Sequence, residues 1–118
     1  MAEFSYKHKW VGEDVLLISL QGTLNFGNSP DFKEKLIQQV LQKVPKLCIF
    51  DFSPLEFVDS SGLGVLISLF PTTKEYGFNI LLLEPSLAIQ SILELSSLNR
   101  LFQVVTTKTL AENYGVQL

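Results

Sequence analysis

Leu47-Cys48-Ile49-Phe50-Asp51-Phe52-Ser53-Pro54, continued by Leu55-Glu56-Phe57-Val58 and then by Asp59-Ser60-Ser61-Gly62-Leu63-Gly64-Val65-Leu66-Ile67-Ser68-Leu69-Phe70, decides the fold. The run 47–50 is continuously apolar rather than alternating, the pattern of a strand buried on both faces. Ser53-Pro54 closes it, and residues 55–58 read as a short connection. From Asp59 onward hydroxyl and carboxylate groups precede a segment that is apolar almost all round, which predicts a mostly buried helix. A doubly covered strand that leads into a buried helix implies a parallel sheet with helical crossovers.

Upstream, Glu3 to Trp10 alternates loosely, with Phe4, Tyr6 and His8 on one face. Val11-Gly12-Glu13-Asp14 supplies turn chemistry before the apolar strand Val15 to Leu20. Gly22 to Asn28 reads as a loop. Ser29-Pro30-Asp31 then reads as a helix start, with a capping hydroxyl, proline at the first helical position and an acid in the first turn. Phe32, Leu36, Val40 and Val44 recur every four residues, with Ile37 and Leu41 beside them, as on an amphipathic helix covering one sheet face. Pro45 disfavours helical geometry at Val44 and should end that helix.

Downstream, Pro71 deletes one backbone hydrogen bond, so a kink or an early stop is expected near Phe70. Tyr76-Gly77 is the expected exit, with Gly77 as a left-handed cap, before a buried strand Phe78 to Leu83. Pro85-Ser86 opens a helix through Leu87, Ile89, Ile92, Leu93 and Leu95. Phe102 to Val105 is a short strand, and Thr106 to Tyr114 a last helix ended by Gly115. The fold class is therefore α/β: a mixed, mostly parallel sheet of four to five strands covered by about four helices, with residues 1–118 forming one domain.

The bulk numbers narrow the function. Nine Lys and Arg against 12 Asp and Glu leave a net charge of -3, which gives nucleic-acid phosphates no general reason to approach. The densest apolar stretch, Leu63 to Phe70, is well short of the roughly 20 residues that span a bilayer, so membrane insertion is not expected. Met1 to Lys7 lacks the uninterrupted apolar core of a secretory signal, and a cytoplasmic location is expected. The single cysteine, Cys48, lies in the apolar run as an inert thiol and can form no disulfide framework.

Chemistry concentrates at Asp59-Ser60-Ser61-Gly62. Either hydroxyl, or the Asp59 carboxylate, can cap the helix that follows. The same helix N-terminus, with its free amides and positive dipole end, could also accommodate a phosphate on one of the serines. Other chemistries lack their parts. The only histidine, His8, sits on the first strand and there is no Gly-x-Ser-x-Gly elbow for a hydrolase. Gly62-Leu63-Gly64 lacks the third small residue of a dinucleotide loop, and one His with one Cys offers little to a metal. No enzymatic activity, cofactor or metal is expected. Trp10 and Phe26 remain open between packing and partner contact, and the acids Asp51, Glu56 and Asp59 read as solvated turn residues.

Asp59-Ser60-Ser61-Gly62-Leu63-Gly64 after a hydrophobic strand, with Gly22-Thr23-Leu24-Asn25 after an earlier one, resembles the STAS domains of bacterial anti-sigma factor antagonists. The resemblance covers nearly the whole chain. It implies a partner switch: the unphosphorylated protein binds an anti-sigma factor that is also a serine kinase and so frees a sigma factor. Phosphorylation by that kinase ends the binding, a metal-dependent serine phosphatase restores it, and ATP and metal belong to those partners. The implied acceptor is Ser61, with Ser60 the alternative. The implied partner surface comprises Asn25, Phe26, Ser29, Asp59, Ser60, Ser61, Gly62 and Leu63. Three positions depart from the family pattern: neutral Asn25 where an acid is frequent, Ser96-Ser97-Leu98 where a glycine commonly precedes the leucine, and Pro71. The alternative reading within the fold is a structural or regulatory subunit of a lipid transporter or signalling scaffold.

Overall fold

A computed structural model describes residues 3–118. The reading of the chain start rests partly on Met1 and Ala2, which lie outside the described residues. Strands β1 (Ser5–Val11) and β2 (Val15–Leu24) form an antiparallel hairpin around Gly12-Glu13-Asp14. Helix α1 (Ser29–Gln42) leads to β3 (Leu47–Asp51), followed by β4 (Leu55–Val58) and α2 (Ser60–Tyr76). Strand β5 (Asn79–Leu83), α3 (Leu87–Leu95), a single 3-10 turn at Leu98–Arg100, β6 (Gln103–Val105) and α4 (Thr107–Tyr114) complete the order.

The main sheet runs β1-β2-β3-β5-β6, parallel except for the β1–β2 pair, so β3 is central as its unbroken apolar run requires. Each crossover adds the next parallel strand on the same side, and crossovers of one hand place their helices on one face. Accordingly Leu16, Ile18, Leu20, Cys48, Phe50, Ile80 and Leu82 meet Phe32, Leu36 and Val40 of α1, Leu66 and Leu69 of α2, and Ile89 and Leu93 of α3 in the main core. Each such side chain, taken from water, contributes about 1.5–3 kcal/mol. The alternate strand residues Leu17, Ile49, Leu81, Leu83 and Val105 point the other way, onto Leu110 of α4 and Val116. Phe4 and Tyr6 place their rings edge-on to Phe32, at centroid distances of 5.1 and 4.9 Å.

Four local expectations change. Strand β2 extends to Leu24 instead of giving way to a loop at Gly22, because residues 55–58 are themselves a strand. β4 pairs Leu55 with Gly22, Phe57 with Thr23 and Val58 with Leu24 across a bulge. Gly22 takes φ +86° at that bulge, a value that favours glycine. Ser29 is not the cap of α1. Asn28 holds the N-cap position, and Ser29 is a buried residue of the first turn. The helix ends at Gln42, with Lys43 already extended and Val44 and Leu41 exposed. Finally, α2 passes through Pro71 without stopping and exits at Gly77, which is left-handed as expected. The bond that Pro71 cannot donate would go to the Ile67 carbonyl, and both residues are exposed, so water can satisfy it.

Candidate functional site

The site is built where β2 and β4 end side by side. Leu24 at the end of β2 accepts the Asp59 N–H at 3.1 Å, which fixes the start of α2 against the start of the Asn25–Asn28 loop. Gly62 allows this approach. A Cβ on it would lie 2.6 Å from Val58 Cγ2, 2.9 Å from Leu24 Cγ and 3.0 Å from the Leu24 carbonyl oxygen. Gly62 and Leu63 are consequently buried, beneath the surface rather than on it.

Asp59 is the cap of α2. Its Oδ1 accepts the Gly62 N–H at 3.0 Å, and its carbonyl accepts the Leu63 N–H at 3.0 Å. Its second carboxylate oxygen, Oδ2, accepts the Phe26 N–H at 3.0 Å. Asp59 is thus a bonded carboxylate bridging two elements, and not a solvated turn acid. Since Asp59 performs the capping, Ser60 and Ser61 stand at the first two helical positions, both exposed, and among the described residues neither hydroxyl has a hydrogen-bond partner.

The loop beside them is held by its own side chains. Asn25 Oδ1 accepts the Gly27 N–H at 2.9 Å, Asn28 Oδ1 accepts the Asn25 N–H at 2.9 Å, and Asn28 Nδ2 donates to the Thr23 carbonyl at 2.9 Å. The Asn25 carbonyl accepts the Ser29 N–H at 2.8 Å. This network leaves Phe26 at the tip, 78% exposed, so it has no part in the core. Asn25 uses only its carbonyl oxygen here, a role that a carboxylate oxygen fills equally well. An asparagine in place of an acid therefore keeps this loop bond and removes a charge.

On the α1 side, Ser61 lines a shallow groove of about 350 Å³ with Ser29, Pro30, Lys33, Gly64 and Val65. Of the residues expected at the partner surface, Asn25, Phe26, Asp59, Ser60 and Ser61 form one contiguous region. Ser29 borders it through the groove, and Gly62 and Leu63 support it from below. The sequence reading missed Lys33, the basic side chain in that groove, and the Asp59–Phe26 bond. Lys33 lies three residues after Pro30, one helical turn along α1, which is the signal that could have found it.

Other marked residues fall elsewhere. Trp10 packs against the main core with Lys43 Nζ 4.1 Å from its ring centroid, a packing role. His8 is exposed on the edge strand β1. Asp51 accepts the Ser53 N–H and hydroxyl at 3.0 and 2.8 Å, closing the turn after β3. Cys48 is fully buried, and burial pushes its thiol from the ordinary 9.0 up to about 12. No helix among the described residues is long and apolar enough to cross a membrane.

The family model for the STAS domain matches residues 8–113. A Thermotoga neapolitana protein described as a candidate anti-sigma factor antagonist is 26% identical over 104 residues, 88% of this chain and 89% of its own length. Among solved structures, the anti-sigma factor antagonist SpoIIAA in its unphosphorylated form has a TM-score of 0.79 at 21% identity, covering 97% of this chain and 100% of that one. The phosphorylated form of SpoIIAA, a Bacillus cell fate determinant, has a TM-score of 0.71 at 21% identity, covering 93% and 99%.

Proposed function

The chain belongs to the STAS domain family, and on that premise we propose that it is an anti-sigma factor antagonist switched by phosphorylation of Ser61, with Ser60 as the alternative acceptor. The observation that carries this reading is a division of labour at the start of α2. Asp59 does the capping, so the exposed serine hydroxyls are spare, and they lie beside an exposed aromatic residue, Phe26, on a loop of fixed shape.

In this reading the unphosphorylated surface docks on an anti-sigma factor with serine kinase activity, which releases its sigma factor. Phe26 supplies the apolar contact, and Asn25, Ser60 and Ser61 supply neutral polar ones. The kinase transfers the γ-phosphoryl group of ATP: the Ser61 Oγ–P bond forms, the bond to the β-phosphate oxygen breaks, ADP leaves and the hydroxyl proton passes to a base of the kinase. The product carries about -1.5 to -2 additional charges beside Asp59. A surface that had met its partner as a neutral one then presents charge and bound water, and the complex dissociates. A serine phosphatase restores the serine by hydrolysis: a water oxygen bonds to phosphorus, the Ser61 Oγ–P bond breaks, inorganic phosphate leaves and the hydroxyl regains a proton. The chain itself supplies no catalytic group, its role being that of substrate and ligand in the cytoplasm.

Incubation with the cognate kinase and Mg-ATP, followed by mass spectrometry, is expected to place phosphate on Ser61. Ser61→Ala is expected to hold the kinase persistently and Ser61→Asp to bind at least about tenfold more weakly. Equal affinity of the two variants, or phosphate confined to residues outside the serine pair, overturns the reading.

A further inference from the structure

The Asp59 carboxylate has two tasks, one per oxygen. Oδ1 caps α2 through Gly62 N–H, and Oδ2 holds the Phe26 N–H across 33 residues of sequence. The first task explains why an acid or hydroxyl stands at this position; the second needs a second acceptor atom, which serine or threonine lacks. The cap and the loop are therefore joined through one side chain, and the amide it holds belongs to the most exposed aromatic residue of the chain.

We infer that Asp59 is the positioning residue of the partner surface, and that charge placed on Ser61 acts on the Phe26 loop through it. This rests on the partner-switch reading for its biological use. The amides of the first helical turn, Ser60, Ser61 and Gly62, converge at the start of α2. A phosphate on Ser61 competes with Oδ1 for them and repels the carboxylate that already occupies the site. Displacing Asp59 from Gly62 also displaces Oδ2 from Phe26, since both oxygens ride on one rigid carboxylate. The loop then keeps its internal Asn25 and Asn28 bonds, and its root keeps the backbone bond from Asp59 N–H to the Leu24 carbonyl, but its tip loses the side-chain tie to α2, so the Phe26 amide is no longer held at its fixed place. Modification thus removes the apolar anchor as well as adding charge.

The test is amide hydrogen exchange on the 15N-labelled protein, with no partner present. Four forms are compared: wild type, Ser61→Asp, Asp59→Ser and the double variant. Asp59→Ser retains a good helix cap while giving up the second oxygen, so it severs the Phe26 bond without unfolding α2. Exchange at Phe26 is expected to accelerate about tenfold in each single variant, and no further in the double one, while the central-strand amide of Ile49 stays unchanged. A Phe26 rate that Ser61→Asp leaves as in wild type overturns the inference, as do effects of the two substitutions that multiply. The binding assay fails separately. Loss of kinase binding in Ser61→Asp with an unmoved Phe26 amide leaves the switch standing and sinks the coupling. A mobilised Phe26 with unchanged kinase binding does the reverse.

Discussion

Gly62 and Leu24 are in contact so close that no side chain fits between them: a Cβ on Gly62 falls 2.9 Å from Leu24 Cγ and 3.0 Å from the Leu24 carbonyl oxygen. The carbonyl is the more restrictive neighbour, because it is backbone and already accepts the Asp59 N–H. The start of the serine helix is therefore seated directly on the end of β2. Gly62→Ala is expected to cost about 1–3 kcal/mol, read as a lower urea midpoint at unchanged slope. Gly64, two residues on, has open space where a Cβ would stand, with nothing within 4 Å. Gly64→Ala is expected to be neutral or slightly stabilising, as a helix interior favours alanine by about 0.5–1 kcal/mol. Equal losses at the two glycines would show that the close approach is not what Gly62 serves.

Phe26 separates function from stability. Being 78% exposed, it contributes little to the fold, so Phe26→Ala should change stability by no more than about 0.5 kcal/mol. If it anchors the partner, the same substitution should weaken kinase binding by about tenfold or more, measured by titration calorimetry. A large stability loss would instead assign Phe26 to packing.

Ser97 has φ +61° just before the 3-10 turn, a conformation in which a side chain costs about 1–2 kcal/mol. The family resemblance implies a glycine before Leu98, and this left-handed backbone is one that favours glycine. Ser97→Gly should raise stability by about 0.5 kcal/mol once the extra freedom of the unfolded glycine is set against the relief. Ser97→Val should lower it. Thermal midpoints of the two variants bracketing wild type would bear this out.

Cys48 links stability to alkaline pH. Burial disfavours the thiolate and raises the folded-state pKa to about 12, above the ordinary value of 9.0, so between these values the native state holds a proton that the unfolded state has released. The unfolded chain binds fewer protons, and stability must fall as pH rises, by about 1.4 kcal/mol per pH unit from 9 toward 12. Below pH 9 the thiol contributes no slope. Cys48→Ala should remove this component of the alkaline decline, and the native thiol should resist iodoacetamide at pH 8 until the protein is unfolded.

Much of this molecule is written in its local sequence. The continuous apolar run 47–50 marked the central strand, the four-residue spacing of Phe32, Leu36 and Val40 marked the buried face of α1, and Gly77, Ser86 and Thr106 marked helix ends, because such signals act over four residues or fewer. The serine pair was legible for the same reason, as polar residues at the entrance of an apolar helix. Its neighbours were not. Residues 55–58 have too short a pattern to announce a strand, and they become one only because the far end of β2 offers unpaired backbone groups some thirty residues earlier in the chain. The choice among Asp59, Ser60 and Ser61 as cap was likewise open in sequence, since all three can accept an amide. Tertiary structure decided it by bringing a second amide, that of Phe26, within reach of the one candidate with two oxygens. What the sequence by itself determined was the four helices and the strands other than β4 and the end of β2, and where the serine hydroxyls lie. Only the folded chain decided which group holds the helix, which hydroxyls are left free and which aromatic residue stands beside them, because those outcomes depend on hydrogen bonds between residues far apart in the chain.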